Sequence, residues 1–140
     1  MSQSKNQYEA GRWLQTAEED LDAARLLQSQ NMHSHACFMA QQGAEKALKA
    51  LWIFFDEEPW GRSIQRLVQE FDRPDVGVNV EEWTKRAVNL DRYYIPTRYP
   101  NGLPDLTPGQ NYLKQDGQQA IAQAEFLFNA CKNIIDVKTK

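Results

Sequence analysis

At 140 residues, with 41% hydrophobic and 25% charged residues, the chain can bury one core without disulfide or metal staples, as an ordinary globular protein does. Its formal net charge of −3 excludes a surface built throughout to hold nucleic acid or an anionic membrane. The charge is uneven: residues 1–58 carry five Lys/Arg against nine Asp/Glu and residues 59–98 carry seven against six, so any anion site is expected mid-chain.

No repeat or low-complexity tract divides the sequence, and a single domain over 1–140 is expected, its core spanning about 8–137. MSQSKNQYEAGRW contains no apolar run of signal-peptide length, and no segment approaches the roughly 18 apolar residues of a membrane span. The expected location is the cytoplasm, with no membrane partner. From about Tyr8 to Gln30, Trp13, Leu14, Ala17, Leu21, Ala24 and Leu27 recur at three- and four-residue steps, which predicts an amphipathic helix. SQNMHS interrupts it, with Asn31 as a plausible cap and Ser34 able to start the next helix.

That second helix is predicted over about Ser34 to Phe55, with Cys37, Ala40, Ala44, Ala47, Leu48, Leu51 and Phe55 on one face. Phe38, Trp52, Ile53 and Phe54 widen the face. Its last turn is apolar nearly all round, more than one bundle face needs, so Trp52, Phe54 and Phe55 are expected at an interface with a second subunit. Cys37 and Cys131 are expected as buried, reduced thiols. His33, His35 and Cys37 do not suit one metal ion, because helix residues two apart point about 200° away from each other. No metal is expected. In QQGAEK, Gln41 and Gln42 beside a small-residue step suggest amides bridging a close helix contact, or equally a solvated edge.

Pro59 and Gly61 break the chain, and Ser63 can cap a short helix reaching Phe71 through Ile64, Leu67 and Val68. A fourth helix is predicted from about Val80 to Tyr93 and a final one from about Asn111 to Val137, whose stripe includes Leu113, Ala120, Ala124, Leu127 and Cys131. No segment alternates with period two. The expected fold is all-α, an up-and-down antiparallel helical bundle with three long helices and one or two short ones.

Between the last two helices lies DRYYIPTRYPNGLPD, residues 91–105, with three tyrosines, two arginines and three prolines. The prolines forbid a continuous helix, and the aromatic, cationic composition is not that of a linker. Guanidinium forks suit phosphate and tyrosine rings stack on bases, so Arg92, Arg98, Tyr94, Tyr99 and Asp91 are the candidate ligand-binding residues. The alternative is an ordered strap, with Tyr94 and Tyr99 tucked inward and the arginines bound to helix ends. No glycine-rich phosphate loop and no nucleophile elbow occurs, and no cofactor is expected.

HACFMAQQGAEKALKALW, followed by DRYYIPTRYPNGLP, closely resembles the small prokaryotic HEPN domains over roughly residues 12–136. The resemblance implies a helical bundle that usually dimerises and is often paired, as a toxin–antitoxin system, with a minimal nucleotidyltransferase. It further implies, for active members, a metal-independent ribonuclease with an Arg-x4-6-His motif near the dimer interface. Here the count from Arg92 reaches Arg98, not a histidine, and Arg62 stands before Ser63 where relatives commonly carry a His. Arginine stays protonated and cannot act as a general base near neutral pH. Three readings follow. The first is a homodimeric component that binds nucleotide or RNA phosphate and lacks robust ribonuclease activity, with a nucleotidyltransferase partner. The second is a ribonuclease using Tyr94 with Asp91, and the third a pure protein-interaction module.

Overall fold

The computed structural model describes residues 3–139, and every regular element among them is helical. In chain order these are α1 (Gln3–Ser29), α2 (His33–Phe54), α3 (Ile64–Gln69), α4 (Val80–Asp91), α5 (Pro108–Asn111) and α6 (Lys114–Thr139). Two 3-10 turns, Pro74–Val76 and Pro100–Gly102, sit in the connections. The three long helices make the bundle. Gln28 meets His33 at 2.9 Å and Asp20 meets Lys46 at 2.5 Å, while Gln28 meets Lys114 at 2.9 Å and Arg25 meets Glu125 at 2.7 Å, so α1 runs antiparallel to both α2 and α6. No helix among the described residues is long and apolar enough to cross a membrane.

Small residues let α1 and α2 approach closely. Ala10, Ala17 and Ala24 on α1 and Ala36, Ala40, Ala44 and Ala47 on α2 are fully buried. At Gly43 a Cβ would come within 3.0 Å of Leu21 Cγ and 3.1 Å of the Ala17 carbonyl oxygen, so α1 would have to give by a few tenths of an ångström. The two glutamines do not bridge the helices. Gln42 Nε2 donates to Gln41 Oε1 at 2.7 Å, and Gln41, wholly buried, faces Glu45 one turn on.

The α1–α2 corner is closed by backbone, not by Ser34. Asn31 takes a left-handed φ of 62°, Met32 N–H donates to the Leu27 carbonyl and Asn31 N–H to that of Gln28, the paired bonds of a Schellman ending. α2 then starts at His33 without a side-chain cap, and Ser34 is buried. Gln28 bolts three helices at this end: its Nε2 donates to the Lys114 carbonyl at 2.9 Å and its Oε1 meets His33 Nδ1 at 2.9 Å. The Gln28 oxygen can only accept, so Nδ1 of His33 carries the hydrogen.

Three expectations change. α1 begins at Gln3, ahead of Tyr8. The final helix is split: Thr107 and Gln110 form a capping box that starts α5, and the chain extends at Tyr112 before α6 begins. Leu113 therefore leaves the core stripe and is 56% exposed, its N–H bound to Asp116 Oδ2 at 2.7 Å. The apolar end of α2 is covered within the chain. Trp52 and Phe54 are buried, Trp52 Nε1 donates to the Leu67 carbonyl, and Phe55 packs its ring against Phe71 with Arg73 over it. Much of the apolar excess at Trp52, Phe54 and Phe55 is thus taken up by α3 and its exit, with Phe55 half-buried.

Cys37 and Cys131 are free, buried thiols. Burial first, and the Asp116 charge second, push the Cys37 thiol up from 9.0 to about 12. Tyr112 rises from 10.0 to about 12, by burial and then by Cys37, Tyr93 and Asp116. The folded chain holds these protons more tightly than the unfolded one, so their stabilisation is complete below the ordinary values and is lost as pH rises towards the folded ones. The melting temperature should fall between pH 9 and about 12, less steeply in Cys37→Ala than in the wild type. Identical slopes in thermal melts of the two proteins would contradict this assignment.

Candidate functional site

The candidate loop begins where α4 cannot continue. Pro96 offers no N–H, and its ring disfavours helix in the residue before it. The chain instead runs in successive turns: Tyr94 N–H reaches the Asp91 carbonyl at 3.4 Å, and Arg98 and Tyr99 N–H both reach that of Ile95 at 3.0 and 3.2 Å. Two inward residues strap the loop down. Tyr93 is buried with its ring edge against Tyr112, and Thr97 is buried with its hydroxyl donating to the Tyr93 carbonyl. Tyr93, rather than Tyr94 or Tyr99, is the tucked-in aromatic. Burial leads the causes that raise its hydroxyl's pKa, which keeps it protonated.

Asp91, the last residue of α4, reaches across to the start of α3. Its Oδ1 accepts from Ile64 N–H at 2.7 Å, and its Oδ2 from Gln65 N–H at 3.0 Å and Ser63 Oγ at 2.9 Å. Ser63 Oγ in turn accepts from Arg66 N–H, as an N-cap should. Asp91 thus supplies negative charge and acceptors to the positive end of α3. A carboxylate holding three donors is a structural anchor, which takes away the base that the Asp91–Tyr94 pair required.

Beside this anchor lies a shallow hollow of about 260 Å³ lined by Arg62, Ser63, Asp91 and Tyr94. Arg62 reaches down to the buried Glu45 at 3.6 Å while staying 62% exposed, and Lys49 pairs with the same carboxylate at 3.1 Å. Tyr94, half-buried, links the hollow to a cage around Arg98. The Arg98 guanidinium carbon lies 4.5 Å from the Phe38 ring centre, 4.7 Å from that of Tyr94 and 5.1 Å from that of Tyr99. Arg98 Nε donates to the Tyr94 carbonyl at 2.9 Å. Among the described residues its terminal nitrogens meet no carboxylate or other acceptor, so the fork is oriented but unspent.

The loop residues do not all converge. Arg98, Tyr94 and Tyr99 share the cage, whereas Arg92 caps α4, exposed, without a side-chain partner among the described residues. Arg62, from the α2–α3 connection, lines the hollow with Tyr94. Phe38 was legible only as a wide part of the α2 face, while Arg62 carried a signal as the residue before the capping serine. His33 is engaged with Gln28. His35 is exposed, one turn before Phe38, with Nδ1 at 3.5 Å from Ser34 Oγ.

The family model of the HEPN domain matches residues 10–134. A crystal structure of a Thermus thermophilus protein superimposes with a TM-score of 0.85 at 34% identity, over 89% of this chain and 97% of that one. An archaeal HEPN homologue gives 0.74 at 33% identity, over 90% and 97%. A Methanocaldococcus jannaschii protein whose name describes it as a candidate toxin is 24% identical, over 90% of this chain and 88% of its own length.

Replacing Asp91 by Ala should strand the α3 donors and cost about 2–3 kcal/mol of stability, read as a lowered denaturation midpoint. Asp91→Asn, which keeps an acceptor, should lose less. An Asp91→Ala protein that unfolds like the wild type would refute the anchor role.

Proposed function

This chain belongs to the HEPN domain family, and from that premise we propose that it binds the phosphate of a nucleotide or RNA at Arg98 and Arg62, without robust ribonuclease activity. The observation that carries this reading is the state of Arg98. Its Nε is fixed by a backbone carbonyl, its faces are covered by three rings, and its remaining donors meet no acceptor among the described residues. A guanidinium so held has lost its freedom before any ligand arrives, and bidentate phosphate suits its geometry. Arg62, drawn to Glu45 only at 3.6 Å, can turn towards a second oxygen.

The argument against strong catalysis is chemical. RNA cleavage by the 2′-hydroxyl needs a group that accepts a proton near neutral pH. Arg98 cannot, Asp91 is committed to α3, and the loop has no histidine. One observation favours a second reading: exposed His35 lies on α2 one turn before Phe38, a ring of the Arg98 cage, so the same helix face carries an imidazole. On that reading the protein is a ribonuclease with His35 as its proton carrier.

A homodimer and a nucleotidyltransferase partner complete the proposal, as a component of a toxin–antitoxin pair; the toxin-named archaeal relative is consistent with it. Of the side chains expected at the dimer interface, Trp52 and Phe54 are buried within the chain and Phe55 is half-buried.

Arg98→Ala should weaken UMP and oligonucleotide binding by about 1.5–3 kcal/mol, and Arg98→Lys should also weaken it, because a point charge loses the fork. Purified protein should leave transfer RNA intact in chelator and scatter light as a dimer at tens of micromolar. Equal affinity in wild type and Arg98→Ala would overturn the binding site. Chelator-resistant cleavage abolished by His35→Ala would establish the second reading.

A further inference from the structure

The connection Asp56–Arg62 carries a tryptophan that the core does not use. Trp60 is 50% exposed, although it is the side chain a globular surface can least readily leave in water. The other tryptophans differ: Trp52 and Trp83 are buried, and Trp13 packs against the core. Trp60 is nevertheless held. The Arg66 guanidinium carbon lies 4.0 Å from its ring centre, and Arg66 is braced by Nε donating to Glu70 at 2.6 Å. Gly61 follows with a φ of 82°, a left-handed step that only glycine takes without strain. Arg62 comes next in the chain, and with Ser63 it lines the hollow before α3.

The chemistry at this spot is that of a base-stacking platform: a flat ring, one face on a cation, half its surface in solvent. Its neighbours in sequence lead on to the hollow. Arg62 and Ser63 lead into the hollow with Asp91 and Tyr94, and Tyr94 leads into the Arg98 cage, whose outer member Tyr99 is 49% exposed. Asp56, Glu57 and Glu58 line a different groove, with Trp13, Lys49 and Ile53.

We infer that Trp60, backed by Arg66, is a second base-stacking subsite, and that the protein takes a single nucleic-acid strand across at least two bases rather than a mononucleotide. One base stacks on Trp60, the connecting phosphate meets Arg62, and the next nucleotide lies at the Arg98 cage. This rests on the reading of Arg62 and Arg98 as phosphate ligands.

The test compares UMP with a six-residue oligouridylate, following tryptophan emission on the full-length protein. The wild type should bind the oligomer more tightly than UMP, with quenching. Trp60→Phe should lose the quench and keep most of the affinity. Trp60→Ala should lose roughly tenfold or more for the oligomer and little for UMP, with an unchanged melting temperature. Equal affinity for the two ligands, or an unchanged oligomer affinity in Trp60→Ala, would overturn the subsite. If Arg98→Ala loses both ligands while Trp60→Ala loses neither, the subsite alone falls. If Arg98→Ala changes neither ligand, the phosphate site falls with it.

Discussion

The carboxylate of Asp91 on the first turn of α3 is the contact on which the candidate site depends. It joins the end of one helix to the beginning of another that precedes it by 27 residues, through three hydrogen bonds of 2.7–3.0 Å. α3 has only six residues, too short to be stable alone, and its N-terminal donors would otherwise face water or nothing. With Asp91 in place, Ser63 is fixed and Arg62 emerges beside Tyr94. Without it, the hollow beside Tyr94 has no defined geometry. Burial of Ile64, Leu67 and Val68 against α2 then secures the rest of α3.

Charge compensation explains how a chain that is acidic overall can present under-matched cations at one place. Buried Glu45 is answered by Lys49 and, more distantly, by Arg62, and Asp91 by the α3 amides. Both acids under the hollow therefore have partners. The cations above are less fully matched: Arg98 rests on ring faces, and Arg62 keeps most of its surface in water. Cation–π contact stabilises a guanidinium by about 0.5–2 kcal/mol while leaving its in-plane donors available. A carboxylate partner would have stabilised it more and occupied the fork.

The long helices were legible because their stripes repeat at three and four residues and the core they make is rich in alanine. α3 was legible through Ser63, and α4 through its apolar positions, whereas the Asn79 cap was not read. What the pattern missed follows from tertiary pairing. The break before α6 needed Tyr112 to turn towards Tyr93, and the apparent surplus at Trp52 and Phe54 needed α3 and Phe71 to fold over it. In the loop, composition identified Arg98 but not its partners. Phe38 is 60 positions away and Arg62 is 36, and no local spacing relates them. Asp91 shows the same limit: a free-looking carboxylate in the sequence proves to be a helix cap in space.

The central claim, that Arg98 is a preorganised phosphate ligand, is tested most directly by side-chain nitrogen NMR of the wild-type protein during titration with UMP, its Nε–H signal assigned with Arg98→Lys. The Nε–H signal is protected beforehand by the Tyr94 carbonyl, and the terminal N–H groups should exchange slowly with solvent and shift only once phosphate binds. If the terminal groups of Arg98 stay unshifted and fast-exchanging while other residues respond, Arg98 is a structural strut and the account of this site is contradicted.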